Sequence, residues 1–116
     1  MVLLVAEEIL AGHLQELRRG TVVVACLSLL QRPQYGYSLL ETLSKAGIEV
    51  DTNTLYPLLR RLEKQGLLHS EWNTEEARPR KFYTVSEDGQ QLLAKLLNEW
   101  RSLNLALESI AQGDNR

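Results

Sequence analysis

The feature that most restricts this chain is a seven-residue apolar repeat near its C-terminus. Gly89, Leu93, Leu96, Trp100, Leu103, Leu107 and Ile110 follow one another at separations of 4, 3, 4, 3, 4 and 3. An average step of 3.5 residues lines these side chains along one seam of a continuous α-helix, and a seam sustained this long needs a partner helix. Leu92, Leu97 and Leu105 widen the stripe beyond what one neighbouring helix covers. Ser86, followed by Glu87 and Asp88, supplies an N-cap and acidic residues at the positive end of the helix dipole. A domain of 116 residues is small, and a second copy is a simple way to enlarge its core. The seam residues Leu93, Leu96, Trp100, Leu103, Leu107 and Ile110 are therefore expected to pair the chain with itself. An intramolecular helical pair in a monomer is the other arrangement that satisfies them.

Upstream, periodicity and turn chemistry divide the rest. Ala6, Ile9, Leu10, His13, Leu14 and Leu17 recur at helical spacing, so 5–18 reads as an amphipathic helix. Its apolar face can cover part of the stripe on the last helix. Gly20 breaks this helix. Val22–Leu30 reads as a buried helix despite its valines, being longer than a usual strand and followed by Pro33. Gly36–Ala46 forms another short helix, and Gly47 supplies its left-handed C-terminal cap. Asp51, Thr52, Asn53 and Thr54 are N-cap residues opening a helix Thr54–Gln65, which Gly66 ends. Pro57 is tolerated there if it lies in or next to the first turn. Leu67–Trp72 and Arg80–Val85 are strand-like and flank a polar loop containing Pro79.

The order is four helices, two strands and a last helix: a mainly α chain with a small β-hairpin (α+β). This is the plan of a winged helix-turn-helix with an N-terminal helix and a long C-terminal dimerisation helix. The expected units are residues 1–86 for the winged domain and 87–112 for the last helix. Within Thr54–Gln65, Leu55, Leu58, Leu59 and Leu62 share the core face. Asn53, Pro57, Arg60 and Lys64 lie opposite, flanked by Tyr56 and Arg61, so cationic and hydrogen-bonding groups face a prospective major groove.

Charge supports this placement. Residues 51–81 carry six basic and five acidic side chains, the only positive balance along a chain whose net charge is −2. Arg78, Arg80 and Lys81 cluster on the hairpin, suited to a phosphate backbone, although Glu75 and Glu76 lie beside them. The plainer reading is two solvated patches paired with carboxylates such as Glu63 and Glu75. The net charge excludes a uniformly basic nucleic-acid coat. One cysteine excludes an internal disulfide framework and fits a reducing cytoplasm. No apolar run is long enough to cross a membrane and no secretory signal is evident. Cys26 reads as a small buried hydrophobe, and together with His13 and His69 makes no metal set. No phosphate loop, nucleophile elbow or carboxylate pair suggests an enzyme, and no cofactor is expected.

Several blocks in fixed order resemble one family. They are Gly36-Tyr37 after Tyr35, then Thr54-Leu55-Tyr56-Pro57-Leu58-Leu59-Arg60-Arg61-Leu62-Glu63, Gly66-Leu67, Arg80-Lys81-Phe82-Tyr83 and Ser86-Glu87-Asp88-Gly89. The pattern resembles the PadR-like transcriptional regulators, in the short subgroup with a single C-terminal dimerisation helix. A Ser-Glu-Asp-Gly turn stands where Thr-x-x-Gly is typical, a mild change because both hydroxyls cap alike. The resemblance implies a cytoplasmic homodimer that represses detoxification or efflux genes from a pseudo-palindromic operator. It implies that Tyr35, Tyr37, Asn53, Thr54, Tyr56 and Arg60 lie at or near DNA, with Arg80 and Lys81 on the wing. It also implies that the last helix dimerises against the first helix of the partner, with Leu10 and Leu14 in that contact, and that a flat aromatic or multidrug-type effector stacks on Trp100 at the dimer centre. The alternative for Trp100 is a plain core position on the seam. For the chain as a whole, the alternative to a ligand-responsive repressor is a winged-helix protein-interaction module that does not bind DNA specifically.

Overall fold

The computed structural model describes residues 2–113, with side chains from Ala6 onward. Met1, the first residue of the expected 1–86 unit, lies outside the described residues. The elements are α1 (Val2–Arg18), α2 (Thr21–Leu29), β1 (Gln34–Tyr35), α3 (Gly36–Lys45), α4 (Thr52–Lys64), β2 (Leu68–Asn73), β3 (Arg80–Val85) and α5 (Glu87–Ala111).

The leucine stripe of α4 drives the packing. Leu55, Leu58, Leu59 and Leu62 are buried against Cys26, Leu27 and Leu30 from α2 and its end, Leu39 and Leu43 of α3, and Tyr83 and Val85 of β3. Fixing four leucines on one side of a helix of 13 residues sets which side faces outward. Gly47 and Gly66, at φ +92° and +79°, close α3 and α4 in the left-handed conformation their sequence positions predict. Asp51 caps α4 by accepting the Thr54 amide at 2.9 Å. The helix thus starts at Thr52, two residues before the predicted Thr54. Pro57 consequently lies in the second turn, inside the helix, rather than in or beside the first. It leaves the Asn53 carbonyl without its helical amide on an exposed stretch.

The sheet has three antiparallel strands in the order β1-β3-β2, one more than the expected hairpin. β1 adds Gln34 opposite Tyr83 and Tyr35 opposite Phe82. β2 and β3 pair from Leu68 opposite Val85 to Asn73 opposite Arg80.

Ser86 binds α5 to the rest. Its Oγ accepts the Gly89 amide at 3.0 Å and donates to the Gly66 carbonyl at 2.7 Å. Gly89 lies so close to the Leu67 carbonyl oxygen that a Cβ has no room. The predicted seam then splits in two. Leu93 belongs to the chain's own core and Leu96, half-buried, packs against it, so the chain itself already covers much of these two positions. The cause is that the N-terminal part of α5, through Leu92, Leu93, Leu96 and Leu97, packs on the core to which α2 contributes. Beyond them Trp100, Leu103, Leu107 and Ile110 are 50–59% exposed. The intramolecular helical pair is not formed: α1 leaves this stretch uncovered, and its own Leu10 is 57% exposed, with Leu14 half-buried. Among the described residues no helix is long and apolar enough to cross a membrane.

Candidate nucleic-acid interface

The outward side of α4 presents Asn53, Thr54, Pro57, Arg60, Arg61 and Lys64, all exposed. Among the described residues Arg60, Arg61 and Lys64 make no ion pair, so three cations project from this helix with nothing of the chain's own to neutralise them. Tyr56 is half-buried because its ring lies on Gly36, where any Cβ would collide with it. That close approach joins the start of α3 to α4 and leaves Tyr37 beside them, 59% exposed.

Tyr35 is a joint rather than a free side chain. Its backbone stands at the N-cap position of α3, while its hydroxyl accepts a hydrogen bond from Asn73 Nδ2 at 2.8 Å and its ring meets Phe82 edge to face at 6.1 Å. The Arg80 guanidinium sits 4.2 Å from the centre of its ring. All four tyrosines of the chain (35, 37, 56 and 83) line one cleft of about 270 Å³ with Trp72, which is 62% exposed.

The wing cations are largely engaged within the chain. Arg80 lies 3.8 Å from Glu76, so Glu76, and not the expected Glu75, partners the hairpin. Lys81 Nζ lies 3.1 Å from Glu63 Oε1, and Ser70 Oγ donates to the other oxygen of that carboxylate. The Ser70 hydrogen bond, then that of Lys81, holds the Glu63 carboxyl below its usual range. The same contact with Glu63 raises the Lys81 ammonium above its own. Arg78 makes no ion pair among the described residues. Half-exposed pairs such as Arg80–Glu76 are worth about 0–1 kcal/mol, so that arginine exchanges readily onto a phosphate.

Sequence reasoning missed Trp72 and Asn73, whose positions depend on the strand register. It named Glu63 only as a generic salt-bridge partner and passed over Ser70. Cys26 is fully buried as expected, and burial pushes its thiol up to about 12. Among the described residues no cluster of three His, Cys, Asp or Glu side chains is arranged to hold a metal ion. A second, larger groove of about 940 Å³ runs between α1, the start of α2 and the first turns of α4, lined by Gln15, Val22, Val50, Asp51 and Arg61 among others.

Comparison with known proteins agrees with this geometry. The transcriptional regulator PadR-like family matches residues 26–95, more than half of the chain. A transcriptional regulator of Mycobacterium tuberculosis is 39% identical over 61 residues. That match covers 53% of this chain and 57% of the relative, so the chain spans little more than half of that protein's length. Among solved structures, a PadR family transcriptional regulator from Eggerthella lenta superposes with a TM-score of 0.89 at 41% identity, covering 93% of this chain and 96% of the other. A transcriptional regulator from Clostridium thermocellum gives 0.74 at 28% identity, covering 81% and 96%. From α2 into α5 the sequence match and the fold coincide, and the chain belongs to the PadR-like family of transcriptional regulators, proteins that regulate rather than catalyse.

Proposed function

We propose that this chain is a cytoplasmic, homodimeric repressor of detoxification or efflux genes that responds to a flat aromatic effector. One observation carries the DNA-binding part. The four buried leucines of α4 leave Arg60, Arg61 and Lys64 unpaired on its outward face, beside Asn53, Thr54 and Pro57. In this reading α4 enters the major groove and its side chains meet base edges. Tyr35, Tyr37 and Tyr56 line the cleft shared by α4, the start of α3 and the wing, while Arg78 and Arg80 bring the wing to the phosphates.

Dimerisation is supported by the exposed second half of the seam, Trp100, Leu103, Leu107 and Ile110, with Leu10 and Leu14 of α1 as their complement. Two copies related by a two-fold axis set two α4 helices about 34 Å apart and call for a pseudo-palindromic operator. In this reading the part of α5 beyond Leu96 is the stretch free to meet a second copy. A half-exposed Trp100 on this arm offers its ring to a planar ligand between two copies. Such a ligand acts on DNA binding only if it prefers one dimer geometry over the other.

The test is a paired substitution, Arg60→Ala with Lys64→Ala, read by duplex binding and by sedimentation. Loss of specific binding with an intact dimer supports the placement of α4. Unchanged binding refutes it and favours a protein-interaction module.

A further inference from the structure

The recognition helix and the wing meet at one carboxylate. Glu63, the penultimate residue of α4, accepts hydrogen bonds from Ser70 on β2 and, at 3.1 Å, from Lys81 on β3. Ser70 lies opposite Tyr83 in the strand register, two residues from Lys81, so both donors stand on the same face of the sheet. One side chain thus holds a helix and two strands, using both of its oxygens. It also neutralises Lys81, whose ammonium otherwise meets only the neutral ring of Tyr83, 5.4 Å from its centre.

We infer that Glu63 is a positioning residue that fixes the wing against the recognition helix and withholds Lys81 from DNA, so that it sharpens the preference for the operator over other sequences. The inference rests on the DNA-binding reading above. Its logic is that the two kinds of binding count different things. Non-specific affinity follows the number of phosphates that cations neutralise, wherever those cations stand. Specific affinity needs the helix in the groove and the wing on the backbone at the same time, in one register. A strap that also silences a lysine lowers the first and raises the second. The side chains of the pair are 28% and 32% exposed, so a thermal melt of each variant accompanies the binding data.

The experiment uses full-length protein and the duplex that wild type enriches from a random pool, with a scrambled duplex as reference. Fluorescence anisotropy is measured at several salt concentrations for wild type, Glu63→Gln, Ser70→Ala and the double variant Glu63→Gln with Lys81→Gln. For Glu63→Gln, binding to the scrambled duplex should strengthen. Its dependence of log affinity on log salt should steepen by about 0.9, one added phosphate contact. The ratio of operator to scrambled affinity should fall about tenfold, on the scale of one mismatched base pair. Ser70→Ala should lower the ratio without changing the slope, and the double variant should restore the slope but not the ratio. A Glu63→Gln protein with the wild-type ratio and slope overturns the inference. So does a parallel loss on both duplexes with a lowered Tm, which is what a purely structural role produces. A wild type that enriches no duplex refutes the DNA-binding reading itself, and this inference with it.

Discussion

Replacing Gly89 by alanine tests how α5 is joined to the winged domain, and the expected sign is opposite to the usual one. At an open helical position this change stabilises by about 1 kcal/mol, because glycine is the poorer helix former. At Gly89 the added Cβ lands on the Leu67 carbonyl oxygen and 2.7 Å from Val85 Cγ2. Val85 is a core residue, and the Leu67 carbonyl accepts the Ser86 amide at 2.9 Å. Neither yields without opening the core or breaking that bond. Overpacking of this kind costs about 1–3 kcal/mol. Pushing the helix start outward also weakens the Ser86 cap, for about 1 kcal/mol more. After the helix-propensity gain is subtracted, a net loss of about 1–3 kcal/mol remains. For a domain of this size each kcal/mol moves Tm by roughly 3–6 °C. Circular-dichroism melts at one fixed protein concentration give the readout, since an oligomer's Tm varies with concentration. A Gly89→Ala protein that melts at or above the wild-type temperature refutes the packing argument.

Further outcomes follow from other parts of the molecule. Cys26 should resist thiol reagents in native buffer and react only on unfolding, a result read by absorbance at 412 nm with Ellman's reagent. Its thiol is raised to about 12 in the folded chain from an ordinary 9.0, so above that lower value the unfolded state has lost a proton that the folded state keeps. Stability should therefore fall as pH rises from 9 towards 12, by about 1 kcal/mol per unit, and Cys26→Ala should remove this part of the slope in urea titrations. Leu103→Glu with Leu107→Glu should convert a dimer to a monomer in sedimentation equilibrium while far-UV dichroism stays helical, since neither side chain contributes to the chain's own core. Trp72→Phe, which leaves Trp100 as the only tryptophan, should show fluorescence quenched by planar aromatic compounds at micromolar concentration, and no response across a diverse panel removes Trp100 from the effector site.

Much of this was legible in the sequence because it depends on local spacing. The leucine stripe of α4, the caps at Asp51 and Ser86, and the left-handed glycines after α3 and α4 each announce themselves within a few residues. The heptad of α5 predicted a helix from Glu87 almost to the end. It did not reveal that Leu93 and Leu96 serve the chain's own core, because periodicity names a face and not its partner. β1 stayed hidden because two residues are too short for any alternation to show. For Lys81 and Arg80, spacing offered carboxylates such as Glu63 as a class but not which group meets which cation. Their partners Glu63 and Tyr35 lie 18 and 45 residues away in sequence, and only the fold brings them together. Strand register placed Trp72 and Asn73 beside the tyrosines, again beyond the reach of spacing.

The measurement that bears most directly on the regulator reading is fluorescence anisotropy of the duplex selected from a random pool, against a random duplex of equal length, over a range of salt. A dimer with two α4 helices in successive major grooves should bind the selected duplex ~10³-fold or more tightly, with affinity falling steeply as salt rises. Equal, weak binding to both duplexes would contradict it.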